Sequence, residues 1–197
     1  ERLMTLIFAT HNAHKYKEVK AQMPAGLDLL YLADITHEPP VEETALTLQG
    51  NAEIKMLALA QSTGQNCFAD DTGLEVAALN GAPGVFSARY AGPEARDQDI
   101  IQKLLNALVG HHNRKAQFRT VIALYWNGET HFFEGVCHGT ILETPRGDHG
   151  FGYDPVFLPE GHTQTFAEMD LVQKAQISHR GIAMKKLIDW LSVRDLQ

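Results

Sequence analysis

The chain has 197 residues, 44% hydrophobic and 21% charged, the balance of a folded globular protein rather than a disordered one. A formal net charge of −7 disfavours non-specific binding to a nucleic acid backbone, although a local cluster of cations can still hold a phosphate-bearing small molecule. Apolar runs such as Val121 to Trp126 are too short to cross a bilayer, and no basic segment followed by an apolar one marks a signal peptide.

The first predicted element is a buried strand, Thr5 to Thr10, ending in the polar turn Thr10-His11-Asn12. A helix follows, with Lys15, Lys17, Glu18 and Lys20 expected on its exposed positions and Pro24 and Gly26 stopping it. Asp28 to Tyr31 reads as a second strand, and the proline-bearing stretch Ala33 to Thr47 as a long loop. Leu48 to Gln61 is a clear helix, with Leu48, Ala52, Met56 and Leu59 on one face and Gly64 as its exit. Asn66 to Ala69 reads as a short strand running into Asp70-Asp71-Thr72-Gly73, with Leu74 to Ala77 returning after a turn.

Gly81 to Gly92 is an ordered loop, and Asp97 to Leu108 an amphipathic helix with Ile100, Ile101, Leu104, Leu105 and Leu108 at helical spacing. The period then changes to that of strands. Gln117 to Trp126 and Thr130 to His138 flank Asn127-Gly128, the dipeptide of a type I′ hairpin, and Gly139 to Thr144 continues as a strand. Arg146 to Pro155 is another glycine-bearing loop, Thr165-Phe166-Ala167-Glu168 matches a capping box, and Ser178 caps a last helix with Ile182, Leu187, Ile188 and Leu191 facing inward. Cys67 and Cys137 sit in strand-like runs and read as small buried hydrophobes, which with no secretory signal fits a reducing cytoplasm. Phe86, Tyr90 and Trp126 read as core residues, with an interface as the alternative. The sum is one α/β domain over residues 1–197, pinched into two lobes with no independent linker.

Polar clusters stand at the ends of several apolar elements, exposed yet held by a rigid scaffold. Thr10-His11-Asn12-Ala13-His14-Lys15 lies at a strand-to-helix turn, where backbone N–H groups, the helix dipole and Lys15 favour a phosphate; an ordinary cap with a surface lysine is the plainer alternative. Glu42-Glu43 could favour a helix dipole or bind a divalent cation. Asp70-Asp71 are adjacent acids after a buried strand, awkward unless cations or donors offset them. One of them can bind metal and deprotonate a water; a tight turn is the alternative. Phe151-Gly152-Tyr153-Asp154 offers an aromatic face for a base, and Lys174 with His179-Arg180 offers donors suited to a purine's 6-keto oxygen. Guanine carries the same oxygen and is not excluded by that logic.

Taken in order, Thr10-His11-Asn12-x-x-Lys15, Glu42-Glu43-Thr44, Asp70-Asp71-Thr72-Gly73, Gly81-Ala82-Pro83-Gly84, Ser87-Ala88-Arg89-Tyr90, Gly150-Phe151-Gly152-Tyr153-Asp154-Pro155 and Ser178-His179-Arg180-Gly181 closely resemble the non-standard purine NTP pyrophosphatase family, also called Ham1-like. The resemblance implies an elongated α/β fold, with a mixed central sheet, flanking helices and two lobes around a cleft. It implies a Mg²⁺-dependent homodimer that hydrolyses ITP, dITP and XTP to monophosphate and pyrophosphate, sanitising the nucleotide pool. By position, Asp71 looks like the general base and a metal ligand, with Glu42 the second ligand. The turn formed by Thr10, His11, Asn12, Ala13, His14 and Lys15 would hold phosphates, and Thr72 would touch substrate. Phe151, Gly152, Tyr153 and Asp154 would pack on base and sugar, Lys174 would contact substrate, and His179 with Arg180 would read the keto edge. Many relatives have Gly where this chain has His11, and Ser where it has Thr72. Two rivals remain: a Maf-like pyrophosphatase for modified pyrimidine or guanine nucleotides, and a nucleotide-binding module without catalysis.

Overall fold

A computed structural model describes residues 4–194 and is organised around one mixed sheet. Strand β1 (Met4–Phe8) leads through helix α1 (Ala13–Lys20) into β2 (Leu27–Tyr31), which lies parallel to it with Leu6 opposite Leu29. A one-turn helix α2 (Leu32–Ile35) and a long loop precede α3 (Leu48–Thr63). Thr47 caps α3 by accepting from Gly50 N, and Gly64 ends it at φ 66°, a left-handed conformation that glycine adopts without a Cβ penalty. Strand β3 (Cys67–Val76) starts parallel to β1 and pairs with the two-residue β4 (Pro83–Gly84). After α4 (Asp97–Ala107), β5 (Lys115–Trp126) and β6 (Glu129–Ile141) form the predicted hairpin, with Asn127 at φ 48° and Gly128 at φ 88° as a type I′ turn requires. Strand β7 (Phe157–Pro159) completes the order β2-β1-β3-β5-β6-β7, and α5 (Leu171–Ile177) and α6 (His179–Arg194) end the described chain.

The cores follow from period-two alternation along the shared strands. Phe8, Phe68, Ile122 and Leu124 meet Ala183, Met184, Leu187 and Leu191 of α6 on one face of the sheet. On the other, Ile7, Cys67, Ala69 and Ala123 meet Ala52, Met56, Leu59 and Ala60 of α3. A third core lies where Leu74, Val76, Phe118 and Phe157 pack with Ile100, Ile101 and Leu104 of α4.

The mixed sheet with flanking helices is the one expected, with local departures. Asp70-Asp71-Thr72-Gly73 is no turn: β3 runs unbroken through it, because β5 pairs with every residue from Cys67 to Val76. Gly139 belongs to β6, which ends at Ile141, and the Thr165–Glu168 capping box opens a single 3₁₀ turn (Phe166–Glu168). Ile182 and Ile188 are only half-buried, while Ala183 and Met184 fill the inner face of α6. Both cysteines are buried and unpaired, as expected, and Phe86 is exposed rather than core. No described helix is long and apolar enough to cross a membrane.

Candidate active site

Alternation along β3 separates its two adjacent acids. Asp70 points with Phe68 and Thr72 toward α1 and α6, where Arg180 Nε (2.9 Å) and Lys15 Nζ (3.0 Å) donate to its two oxygens. It is 1% exposed, and although burial opposes its charge, Lys15 and Arg180 hold the carboxyl well below the usual range. Asp71 points the other way, with Ala69, toward α3. One of its oxygens accepts from Thr72 N at 3.1 Å; the other, Oδ2, is buried with no partner at all. Burial dominates here and, with help from Glu43 and Asp70, pushes the Asp71 carboxyl up to about 6 despite Lys55 and Lys15. A buried, unpartnered oxygen on a carboxyl poised near neutrality is what a general base needs.

Sequence reading overlooked Lys55, placed on α3 opposite these acids. It pairs with Glu43 Oε1 at 2.7 Å. Burial alone would depress its ammonium, but Asp70, Glu43 and Asp71 more than offset that and hold it above its ordinary value. Of the acidic pair before α3, Glu43 is therefore engaged and Glu42 is exposed at the cavity wall. Asn51 ties this loop down by accepting from Ala45 N at 2.8 Å.

The turn before α1 is more occupied than expected. Asn12 Oδ1 accepts from both His14 N (2.9 Å) and Lys15 N (3.2 Å), and Asn12 N donates to Thr10 Oγ1 (3.1 Å), so those amides are taken up by the cap. What the turn presents to the cavity is Thr10, His11, Asn12 and the Lys15 ammonium, whose charge burial disfavours and Asp70 supports.

Glu18 corrects the sequence reading most sharply. It is buried, not exposed, and bridges two cations: Lys174 Nζ donates to its Oε1 and Arg180 Nη1 to its Oε2 at 2.5 Å. Lys174 also donates to Asp154 Oδ2 at 2.6 Å, and Arg180 Nη2 to Thr72 Oγ1 at 3.0 Å. Thr72 Oγ1 shares a further hydrogen bond with Thr120 Oγ1 at 2.7 Å. Lys174 and Arg180 are thus wall groups locked by carboxylates, and both stay charged because those acids outweigh the cost of burial.

Elsewhere in the cavity wall, Gly150 to Asp154 forms a tight turn in which Phe151 N donates to Asp154 Oδ2 and Gly152 N to Asp97 Oδ2. Tyr153 is buried and donates its hydroxyl to Ser87 O at 2.7 Å, so its ring is anchored into the Ser87–Arg89 turn. His179 stacks on Phe118 with 4.5 Å between ring centroids. Burial first, and the nearby Arg180 and Lys174 cations next, hold its imidazole neutral, and its Nδ1 is buried without a partner.

These groups line a single cavity of about 610 Å³ that takes in Thr10, His11, Asn12, Lys15, Glu42, Glu43, Lys55, Asp71 and Thr72 together with Phe151, Gly152, Tyr153, Asp154, Lys174, His179 and Arg180. Ala13 and His14 are the predicted residues outside it. Its size and its few convergent polar groups suit one small ligand. Among the described residues no three His, Cys, Asp or Glu side chains cluster to cage a metal. Magnesium needs no such cage: it takes one or two carboxylates and completes its shell with water and phosphate oxygens, which the free Asp71 Oδ2 fits.

Buried cations, a poised carboxylate, aromatic rings and an orphaned ring nitrogen around one cavity define an α/β protein whose site suits an anionic ligand bearing a flat polar ring. The chain belongs to the Ham1 family, whose model matches residues 6–190. It is 51% identical to the dITP/XTP pyrophosphatase of Christiangramia forsetii, over 96% of this chain and 100% of the relative. With that of Porphyromonas gingivalis it shares 52% over 94% and 96% of the two chains. Among solved structures, the Ham1 protein of Staphylococcus aureus superposes with a TM-score of 0.86 at 38% identity, covering 96% of this chain and 99% of that one.

Proposed function

We infer that the protein is a nucleoside-triphosphate pyrophosphatase that converts non-standard purine nucleotides (ITP, dITP, XTP) to the monophosphate and pyrophosphate, and so sanitises the nucleotide pool. The relatives' shared activity supports this, and the observation that carries the chemistry is the unpartnered Asp71 Oδ2 in the cavity wall. Asp71 takes a proton from water as it attacks the α-phosphorus. Lys15 and Lys55 offset the negative charge that otherwise repels the nucleophile and that builds on the departing pyrophosphate. Phe151 offers its face to the base. Arg180 carries donors only, which match a 6-keto oxygen and oppose adenine's 6-amino group, and the neutral His179 completes the edge.

We propose Mg²⁺ as the cofactor, held by Asp71 with Glu42. When bound, it supplies positive charge against the phosphate oxygens and lowers the pKa of a bound water. We propose as well a cytoplasmic homodimer, which would account for the exposure of Leu46 and Phe86.

A pyrophosphate-release assay on ITP, dITP, XTP, ATP, GTP, dUTP and UTP tests the reading. Preference for the first three supports it, preference for dUTP or UTP favours a Maf-like activity, and binding without release favours a non-catalytic module. In ¹⁸O water the label must enter the monophosphate; label in pyrophosphate means attack at the β-phosphorus. EDTA should abolish turnover and excess Mg²⁺ restore it. Full activity in EDTA rejects the cofactor.

A further inference from the structure

His14 shares the phosphate turn in sequence but not the cavity in space. Its backbone N–H is spent on the Asn12 cap, its side chain is exposed, and it is missing from the cavity wall that Thr10, His11, Asn12 and Lys15 line. Its imidazole instead lies against Phe151, with ring centroids 5.1 Å apart and planes 17° from parallel. Phe151 does line the cavity, and the Lys174 ammonium and Arg180 guanidinium stand 5.2 and 5.7 Å from its centroid. Beyond these cations, Asp154 and Asp97 pin the turn's backbone. The ring itself is half-buried, and a flat neighbour stacked on it restricts its side-chain torsions further.

We propose that His14 is a positioning residue for base recognition: its imidazole stacks on Phe151 and holds that ring as a platform for the purine. The same residue lies in the first turn of α1 next to Lys15, so the platform is fixed at a set distance from the ammonium that meets the phosphates. Base and phosphate subsites are thereby spaced by one short piece of chain. His14 works through Phe151 and touches no phosphate. This rests on the pyrophosphatase reading above.

The test compares wild type, His14→Ala and His14→Phe in ITP turnover, with inorganic tripolyphosphate as a competitive inhibitor that carries no base. Removing a stacked partner of this kind is worth about three- to tenfold in binding. The expectation is a KM for ITP raised by about that factor in His14→Ala, with the tripolyphosphate inhibition constant unchanged and kcat little affected. His14→Phe, which keeps a flat ring but cannot be charged or donate, should return KM to near the wild-type value. A parallel rise in the inhibition constant would make His14 a phosphate ligand and overturn the proposal, as would an unchanged KM in His14→Ala or failure of His14→Phe to restore it. Absence of ITP turnover in the wild type would instead sink the functional reading itself, which separates the two failures.

Discussion

Replacing Glu18 by Gln keeps the shape of the side chain and deletes one charge from a closed set. Asp70, Asp154 and Glu18 face Lys15, Lys174 and Arg180, and every member is paired within the set. The variant leaves Lys174 and Arg180 buried with a carboxylate missing between them. Breaking a buried pair in this way costs about 3–5 kcal/mol, a large part of the roughly 5–15 kcal/mol that holds a domain together. For a chain of this size the melting temperature should fall by about 10 °C. The assay is guanidinium unfolding at pH 7.5 without nucleotide, with Glu18→Gln, Lys174→Gln and the double variant forming a cycle.

The double variant restores charge balance and should lose less than the two single losses added. The wild-type advantage also depends on pH in a fixed sense. Burial opposes the Glu18 charge, but Arg180 and Lys174 overcome it and lower its pKa from 4.5. Its contribution is therefore complete above that ordinary value and disappears as pH falls through the depressed one. A Glu18→Gln loss within about 0.5 kcal/mol, as at an exposed site, would refute the hub.

Three further outcomes can be checked. Asp71→Asn should retain the fold by circular dichroism and lose nearly all turnover; near-normal rates would remove Asp71 from the role of base. In metal-free protein the Asp71 carboxyl, followed by ¹³C NMR, should titrate near 6 because burial opposes its charge, and a midpoint at or below the ordinary carboxylate value would contradict that cause. Gly135→Ala should raise the KM for ITP and cost about 1–3 kcal/mol, since a Cβ there would collide with the His179 carbonyl and push α6 away from β6; wild-type kinetics in that variant would show that the start of α6 tolerates displacement.

Local signals made much of this legible. The Asn127-Gly128 hairpin, the α3 stripe with its Gly64 exit and the amphipathic α4 are written in short windows, and the structure follows them. What sequence reading missed depends on partners far along the chain. The alternative of a turn at Asp70 and Asp71 rested on Asp being a poor strand residue; β5 pairing overrides that preference, and the offsetting cations the pair calls for come from 55 and 110 positions away. Glu18 sits among lysines and looked solvated, yet its partners are 156 and 162 residues distant. Lys55 drew no reading at all, since only the fold brings it beside Asp70 and Asp71. Helix α5 is only seven residues long, too short for a period to emerge, and its exposed Leu171 and Val172 break the pattern further. The ordered motifs pointed to residues that line one cavity, but not to which of them open onto it and which brace one another.

The alignment of β3 with β5 carries a consequence for how the chain can change. Neighbouring carboxylates serve opposite sides of one strand, so sliding that strand by a single rung would hand the bracing partners to Asp71 and strand Asp70 beside α3. Ten consecutive rungs clamp it against such a slip. Insertions or deletions between Cys67 and Asp71 should therefore be far more damaging than substitutions of the same number of residues, whatever their chemistry.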